Sequence, residues 1–238
     1  RVPKKLLVEN GAPTAADRRQ INAGIEDLRW VAALKPGAIG VPAYRDALRE
    51  YLEIAVLSAA LRPDARAARL AELIHRAVPY PVFLIVSQGG ALTISLAHKR
   101  WSQGEAGATV LDGGVIEAAL HSGDDDGDLH AFRQALALAR QPRSTLYALY
   151  QGWMDCVTAL LAARITGAFA VPGSAERAAA WREGLDTHAR LERDIALLRA
   201  QAAGEKQISR RVELNMEIRR LEAELAAAAR QLTIEDAQ

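Results

Sequence analysis

Cysteine is nearly absent from this sequence of 238 residues, since Cys156 is the only one. A single cysteine excludes an internal disulfide bond and any zinc site built from several cysteines, and it suits a reducing compartment. No apolar run reaches the roughly 20 residues that a membrane-spanning helix needs. The residues after Arg1 do not follow the pattern of a signal peptide. We therefore expect a cytoplasmic protein that does not contact a membrane.

Long runs of one charge sign are also missing. The 30 basic and 29 acidic side chains give a formal net charge of +1, so neither a polybasic nor a polyacidic tail dictates the partner. Only five of the basic residues are lysines, a bias that indicates genome composition rather than a task specific to guanidinium groups. Because the chain does not open on Met, we expect further residues before Arg1 in the full-length protein.

The most informative stretch that is present runs from residue 74 to residue 100. Residues 82–86 of a strand predicted at 82–88 are apolar on both faces, which is typical of a central strand covered on both sides. Gly89-Gly90 separates them from a second alternating run, and glycine tolerates the positive φ of a two-residue hairpin turn. Upstream, the pattern predicts a strand at 53–61, with a helix as the alternative, and a helix at 64–78. These elements form a β-α-β unit with parallel strands.

Weaker patterns flank this unit. An extended segment at 2–8 and a helix at about 14–29, capped by Thr14, are expected before it. Residues 109–111 and 115–120 flank an Asp-Gly-Gly turn and predict a further hairpin or an edge strand. Helices are expected from Asp128 to about Ala139 and from Ser144 to Gly167, the second apolar enough to dock on the sheet.

Two apolar seams with three- and four-residue spacing follow a hinge at 168–173. Gly204 lies between them, so they predict an antiparallel coiled-coil hairpin with arms of about 35 Å. One long helix is the alternative, which Gly204 disfavours because glycine costs about 1 kcal/mol in a helix interior. Mixed charges on the outer faces favour a protein-docking arm over a DNA-binding one. The seam residues expected to bind the partner are Leu191, Ile195, Leu198, Leu214, Ile218, Leu221 and Leu225.

These elements predict an α/β (α+β) fold whose mixed sheet contains a β-α-β unit and a β-hairpin. Further helices and a C-terminal antiparallel coiled-coil hairpin follow the sheet. We expect three parts: a mixed-sheet α/β domain at 1–122, a helical segment packing on it at 123–173, and the coiled-coil hairpin at 174–238.

His98, Lys99 and Arg100 place three potentially cationic side chains at the end of a predicted strand. A phosphate of a nucleic acid or another anion can be bound from such a position. The alternative is a solubilising strand end without a ligand. His75 is near in sequence, but no paired carboxylate or nucleophile accompanies it, which favours a packed histidine.

Metal sites and catalytic motifs are not evident. The acidic segment 124–128 resembles a calcium loop, yet position 12 of that loop would be Ala135 instead of Glu. His121 and His130 match no zinc spacing. No phosphate loop, serine elbow or dinucleotide fingerprint occurs. We expect no metal, no cofactor and no catalytic residues. A metal-dependent nuclease using Asp46, Glu50 and Glu53 stays open as an alternative.

Several segments, taken in order, resemble the bacterial domain-of-unknown-function family 4391. They are VPKKLLVEN at 2–10, IHRAVPYPVFLI at 74–85 with ISLAHKR at 94–100, LYALYQGWMDCVTALLAARITG at 146–167, and EKQISRRVELNMEIRRLEAEL at 205–225. Members of that family tend to be encoded beside helicases and DNA methyltransferases of type III restriction-like clusters. The resemblance therefore implies an accessory role in restriction-modification or anti-phage defence.

Together, the patterns and the resemblance favour a non-enzymatic accessory subunit. Its coiled coil would dock onto a helicase, a methyltransferase or a second copy of itself. Direct nucleic-acid binding at the basic strand end is the main alternative, and an unrecognised nuclease is the other.

Overall fold

The computed structural model describes residues 1–105, 107–120 and 126–233. Its helices are α1 (Lys4–Gly11), α2 (Ala15–Gly24), α3 (Pro36–Ile39), α4 (Ala67–Ala77), α5 (Asp126–Ala135), α6 (Leu146–Thr166), α7 (Ala175–Gly204) and α8 (Ile208–Gln231). Its strands are β1 (Ile25–Leu34), β2 (Tyr44–Arg45), β3 (Glu50–Tyr51), β4 (Ile54–Leu61), β5 (Val82–Gln88), β6 (Ala91–Leu96), β7 (Lys99–Trp101), β8 (Thr109–Leu111) and β9 (Ile116–Leu120). The protein is a mixed α/β (α+β) fold, as predicted.

A five-stranded sheet in the order β1-β4-β5-β6-β9 forms the main layer. β4 and β5 are parallel and are joined through α4, while the other neighbouring pairs of this sheet are antiparallel. The central position of β5 and the β-α-β unit are thereby confirmed. Gly89 and Gly90 turn the β5–β6 hairpin with φ values of +56° and +86°, and these positive values are the reason that glycine is required there.

The N-terminal segments differ from the sequence prediction. The segment predicted to be extended is helix α1, whose Leu7 is buried in the core beside α4 residues. The predicted helix ends at Gly24 instead of near residue 29, and β1 follows it. Ile25 and Leu28 are three positions apart, yet both are buried, because a bulge between Ile25 and Asp27 shifts the strand by one residue. The bulge gives the apolar residues of this strand the spacing of a helix, which is why the helix was predicted to extend to about residue 29.

The predicted hairpin across the Asp-Gly-Gly turn is also wrong. β8 pairs with β7 in a separate two-stranded sheet, and β9 is an edge strand beside β6. The edge-strand alternative is correct for β9. Asp112 N donates to His98 O at 2.9 Å, so the segment after β8 is held by the chain that leads into β7. Lys99 and Arg100 thus belong to β7 and do not end β6.

The described chain divides into two compact units, Arg1–Asp126 with Arg133–Val157 and Gly127–Phe132 with Thr158–Gln238. In the first unit, the N-terminal half of α6 docks on the sheet as expected. The Tyr150 hydroxyl lies 2.7 Å from Val82 O and accepts a bond from Ala97 N at 2.9 Å. In the second unit, α7 and α8 pack together. None of the described helices has both the length and the apolar content that crossing a membrane requires.

Replacing Gly11 by Ala is expected to lower the free energy of unfolding by about 1–3 kcal/mol. A Cβ at this position would lie 2.6 Å from Leu73 O and 2.8 Å from the Ala77 Cβ, atoms of α4 that cannot rotate away. Urea denaturation of both proteins measures the difference. Gly37→Ala is the matched control, because no atom lies within 4 Å of a Cβ there. An equal loss of stability in both variants would contradict the α1–α4 contact.

Candidate functional site

His98 lies between β6 and β7 and is held through both ring nitrogens. Tyr51 Oη is 2.5 Å from Nδ1, and Gln151 Oε1 is 2.7 Å from Nε2. Lys99 N donates to Tyr51 Oη at 3.3 Å, which leaves the Tyr51 hydrogen for Nδ1 and places the imidazole hydrogen on Nε2. The Tyr147 ring stacks on the imidazole with centroids 5.0 Å apart. Side chains of β3 and α6 therefore occupy both nitrogens and one face of His98.

Lys99 points into the protein and is only 2% exposed. Its Nζ donates a hydrogen bond to the carbonyl oxygen of His75. His75 is in the last turn of α4, where carbonyls lack intrahelical partners. Burial, assisted by the charge of Arg76, lowers the pKa of Lys99 to about 8. Among the described residues, no carboxylate lies within ion-pair distance of this amine.

Arg100 is the next residue of β7, and its side chain is 36% exposed. Nη1 donates to Trp101 O at 3.2 Å, and Nε lies 3.7 Å from Asp112 Oδ1. The other oxygen of Asp112 is held by Arg49 at 2.5 and 2.8 Å. The structure therefore places the three predicted cations in different environments. His98 is bound by side chains, Lys99 is buried, and Arg100 reaches solvent.

An open groove with a volume of about 810 Å³ lies beside Arg100, and we call it the β7–α4 groove. Glu72 and Arg76 contribute one part of its wall from α4. Gly113 and Gly114 contribute backbone from the turn after β8, and Glu117 lines the groove from β9. The groove thus combines guanidinium groups, turn backbone and carboxyl groups in the first unit.

A buried hydrogen-bonded chain leads from the groove to α4. Ser95 Oγ lies 2.9 Å from His75 Nε2 and donates to Glu117 Oε1 at 3.1 Å. Because the Ser95 hydrogen goes to Glu117, His75 Nε2–H donates to Ser95, and His75 Nδ1 is an acceptor without a partner among the described residues. Burial lowers the pKa of His75 to about 3 and raises that of Glu117. This donor order is opposite to that of a nucleophilic serine, so Ser95 is not activated here.

The predicted partner-binding residues form the seam between α7 and α8. Five of these residues are buried in one cluster and the other two pack against it. The buried ones are Leu191, Ile195, Leu214, Ile218 and Leu221, and the other two are Leu198 and Leu225. Residues 205–207 separate the two helices, which confirms the hairpin over a single long helix. The seam side chains are therefore used to close the hairpin itself.

A second apolar row lies on the opposite face of α8. Ile208, Val212 and Met216 are 72%, 51% and 68% exposed, and their four-residue spacing keeps them on one helix face. Leu214 is two residues from both Val212 and Met216, about 200° around the helix, so this row faces away from the seam. We call these three residues the outer stripe.

A family model described as a domain of unknown function (DUF4391) matches residues 1–225. The chain belongs to this family. No curated protein and no solved structure matches it. The matched range includes both the β7–α4 groove and the outer stripe, so in this DUF4391 protein both features lie within the family domain.

The acids considered for a nuclease are each engaged separately. Asp46 accepts hydrogen bonds from two backbone N–H groups of its own turn at 2.6 and 2.7 Å. Glu50 pairs with Arg45, and Glu53 lies 3.1 Å from Lys35 Nζ. Within the described ranges, no group of three or more His, Cys, Asp and Glu side chains is placed to hold a metal ion.

Residues 124 and 125 of the acidic segment that resembled a calcium loop lie outside the described residues, as does His121. Asp128, at its end, falls within α5 and accepts a hydrogen bond from Phe169 N at 3.0 Å. Its carboxylate therefore ties α5 to the segment after α6 in the second unit.

The sequence did not indicate that Arg76, Ser95 and Glu117 lie near one another in one site. Ser95 and Glu117 are directly opposite each other in the β6–β9 register. The available signal was the presence of Ser95 and Glu117 within two largely apolar strands. The pairing of those strands, which the sequence did not reveal, was needed to join them.

Proposed function

We propose that this protein is a non-enzymatic accessory subunit of a restriction-modification-like anti-phage defence system. It docks onto a helicase or a DNA methyltransferase subunit through the α7–α8 hairpin. The observation that carries the proposal is the outer stripe, three large apolar side chains in a row on a helix whose other face is already packed. Scattered apolar residues are common on surfaces, whereas a row at four-residue spacing suits insertion into a partner groove. The defence setting rests on the family resemblance.

Charges beside the outer stripe indicate the chemistry of the partner. Several charged side chains of α8 pair with one another: Arg210 with Glu213, and Arg220 with Glu217 and Glu224. Arg211 and Arg219 are exposed and have no ion pair with a described residue. The stripe is therefore accompanied by uncompensated positive charge. A complementary partner surface is an apolar groove with carboxylates at its rim.

Replacing Val212 and Met216 by Asp is expected to weaken partner binding by at least about tenfold for each residue. Each change removes apolar contact and places a carboxylate opposite the acidic rim. Isothermal titration calorimetry should measure Kd between the full chain and the purified helicase and methyltransferase subunits of the gene cluster that the family resemblance implies.

Leu48→Asp is the matched control, because Leu48 is 55% exposed and lies in the first unit. It undergoes the same kind of change and is expected to leave Kd unaltered. If Val212→Asp and Met216→Asp bind as tightly as the wild type, the outer stripe is not the docking surface. If the wild type binds neither subunit, the proposed partner is wrong. Wild-type self-association that Val212→Asp abolishes would assign the stripe to a second copy of the chain.

A further inference from the structure

The buried amine of Lys99 is an unusual charge in this fold. An ammonium group has three donors, and the His75 carbonyl takes one of them. The carbonyl end of α4 supplies partial negative charge, but no described carboxylate is close enough to form an ion pair. A buried cation without a counter-charge is costly for the folded state. An anion from outside the chain would offset this cost.

The acids around the β7–α4 groove are largely neutralised by cations of the same chain. Glu72 pairs with both Arg69 and Arg76 at 2.7 Å, and Glu9, which also lines the groove, lies 3.6 Å from Lys5 Nζ. Asp112 pairs with Arg49 at 2.5 Å. The carboxyl group of Glu117 has no cation within ion-pair distance among the described residues, and burial raises its pKa.

Three cations near the groove have no carboxylate that is theirs alone. Lys99 has no paired carboxylate, Arg100 is only 3.7 Å from a shared one, and Arg76 shares Glu72 with a second arginine. Arg76 is also close enough to lower the pKa of Lys99. The charges of these cations are incompletely paired, which favours an anionic ligand.

Backbone donors lie at the same groove. Gly113 and Gly114 line it, and neither N–H donates a hydrogen bond to a described residue. No atom lies within 4 Å of a Cβ built on either glycine, so an approaching ligand meets open backbone. The guanidinium groups of Arg76 in α4 and Arg100 in β7, together with the N–H groups of the turn, offer more hydrogen-bond donors than one carboxylate can accept. A phosphate group, with more acceptor oxygens, fits this set better.

We propose that the β7–α4 groove binds a small phosphate ester, whose phosphate lies between the guanidinium groups of Arg76 and Arg100 and accepts hydrogen bonds from the Gly113-Gly114 turn. Lys99 does not line the groove, but its amine is close enough to Arg76 for the two charges to interact, so it adds positive potential. The volume of about 810 Å³ is larger than a phosphate alone requires and lies within the range of about 300–1,000 Å³ that small-molecule sites occupy. The organic part of the ligand lies against Val110, Leu111 and Val115, which line the same groove.

Isothermal titration calorimetry of the full chain tests this site with inorganic phosphate, ribose 5-phosphate, AMP and a short single-stranded oligonucleotide at constant ionic strength. We expect saturable binding at one site for a phosphate ester. Arg100→Gln is expected to weaken it at least tenfold, because an exposed donor is removed without disturbing the core. Lys99→Met, checked for folding by circular dichroism, should weaken it as well. Arg62→Gln is the matched control, since Arg62 is exposed in the same unit and does not line the groove.

Equal binding by the wild type and Arg100→Gln, or no binding of any probe, would overturn the proposal. Binding of the oligonucleotide without binding of the small esters would assign the groove to nucleic acid instead. If inorganic phosphate binds and none of the esters does, the ligand is not a phosphate ester and the proposal is overturned. The Val212→Asp variant should keep wild-type affinity for the ester, so a failure of this site and a failure of hairpin docking are separable.

Discussion

The Ile218→Ala variant should be less stable in its hairpin than the wild type by about 2–3 kcal/mol, in the lower part of the range for buried Ile to Ala changes. Ile218 is 7% exposed and packs in the seam between α7 and α8. The seam joins only two helices, so neighbouring side chains can partly close the cavity. Native-state hydrogen exchange of the α7 and α8 amides reports the opening free energy of the hairpin itself, so it is the appropriate measurement.

Val212→Ala is the matched control on the same helix. Val212 is 51% exposed on the outer stripe, so its truncation removes little buried surface. Alanine also favours helix over valine by roughly 0.5 kcal/mol. We expect hairpin stability to be unchanged or slightly increased. If Val212→Ala lowers hairpin stability as much as Ile218→Ala does, the outer stripe is packed within the chain. That result would contradict the docking proposal.

The second large effect is a pH dependence due to Lys99. The free energy of unfolding of the wild type, relative to Lys99→Met, is expected to rise by about 3 kcal/mol between pH 8 and pH 10.5, at about 1.4 kcal/mol per pH unit. In the unfolded chain the amine keeps its proton up to about pH 10.5, whereas in the folded chain it loses it near pH 8. The unfolded state thus binds more protons in this window, and stability rises with pH.

Urea denaturation of both proteins at several pH values measures this difference. Burial raises the pKa of Tyr51, so this residue lowers the stability of the fold above about pH 10. Both proteins contain Tyr51, and its contribution therefore cancels in the difference between them. A difference that stays flat across the window would show that the Lys99 amine has an ordinary pKa in the folded state. Saturating phosphate ester should reduce the pH dependence, because a bound anion favours the charged amine.

Local patterns predicted much of the sheet. Alternation in 82–88 and the Gly89-Gly90 pair identified β5 and its hairpin, because both signals act within a few residues. The same reasoning failed at Ile25 and Leu28, where a bulge makes a strand imitate helical spacing. It also failed at α1, where packing beside α4 decides the conformation.

The candidate site was less predictable than the fold. His98, Lys99 and Arg100 were predicted to act as a cationic group, but adjacency in sequence did not reveal their surroundings. Successive residues of a strand point to opposite faces, so Lys99 is buried while Arg100 reaches the groove. The hairpin shows the same limit, since the seam residues pack against each other and the outer stripe was not singled out.

The sequence by itself determined the β-α-β unit, the Gly89-Gly90 hairpin and the helical hairpin near Gly204, because turn chemistry and apolar periodicity are local properties. Only the tertiary structure decided that Lys99 is a buried cation, that Glu117 lies opposite Ser95, and that Arg76 and Arg100 line one groove. The burial and charge environment of a side chain depend on residues far away in the chain, and those residues are brought close only when the strands and helices pack.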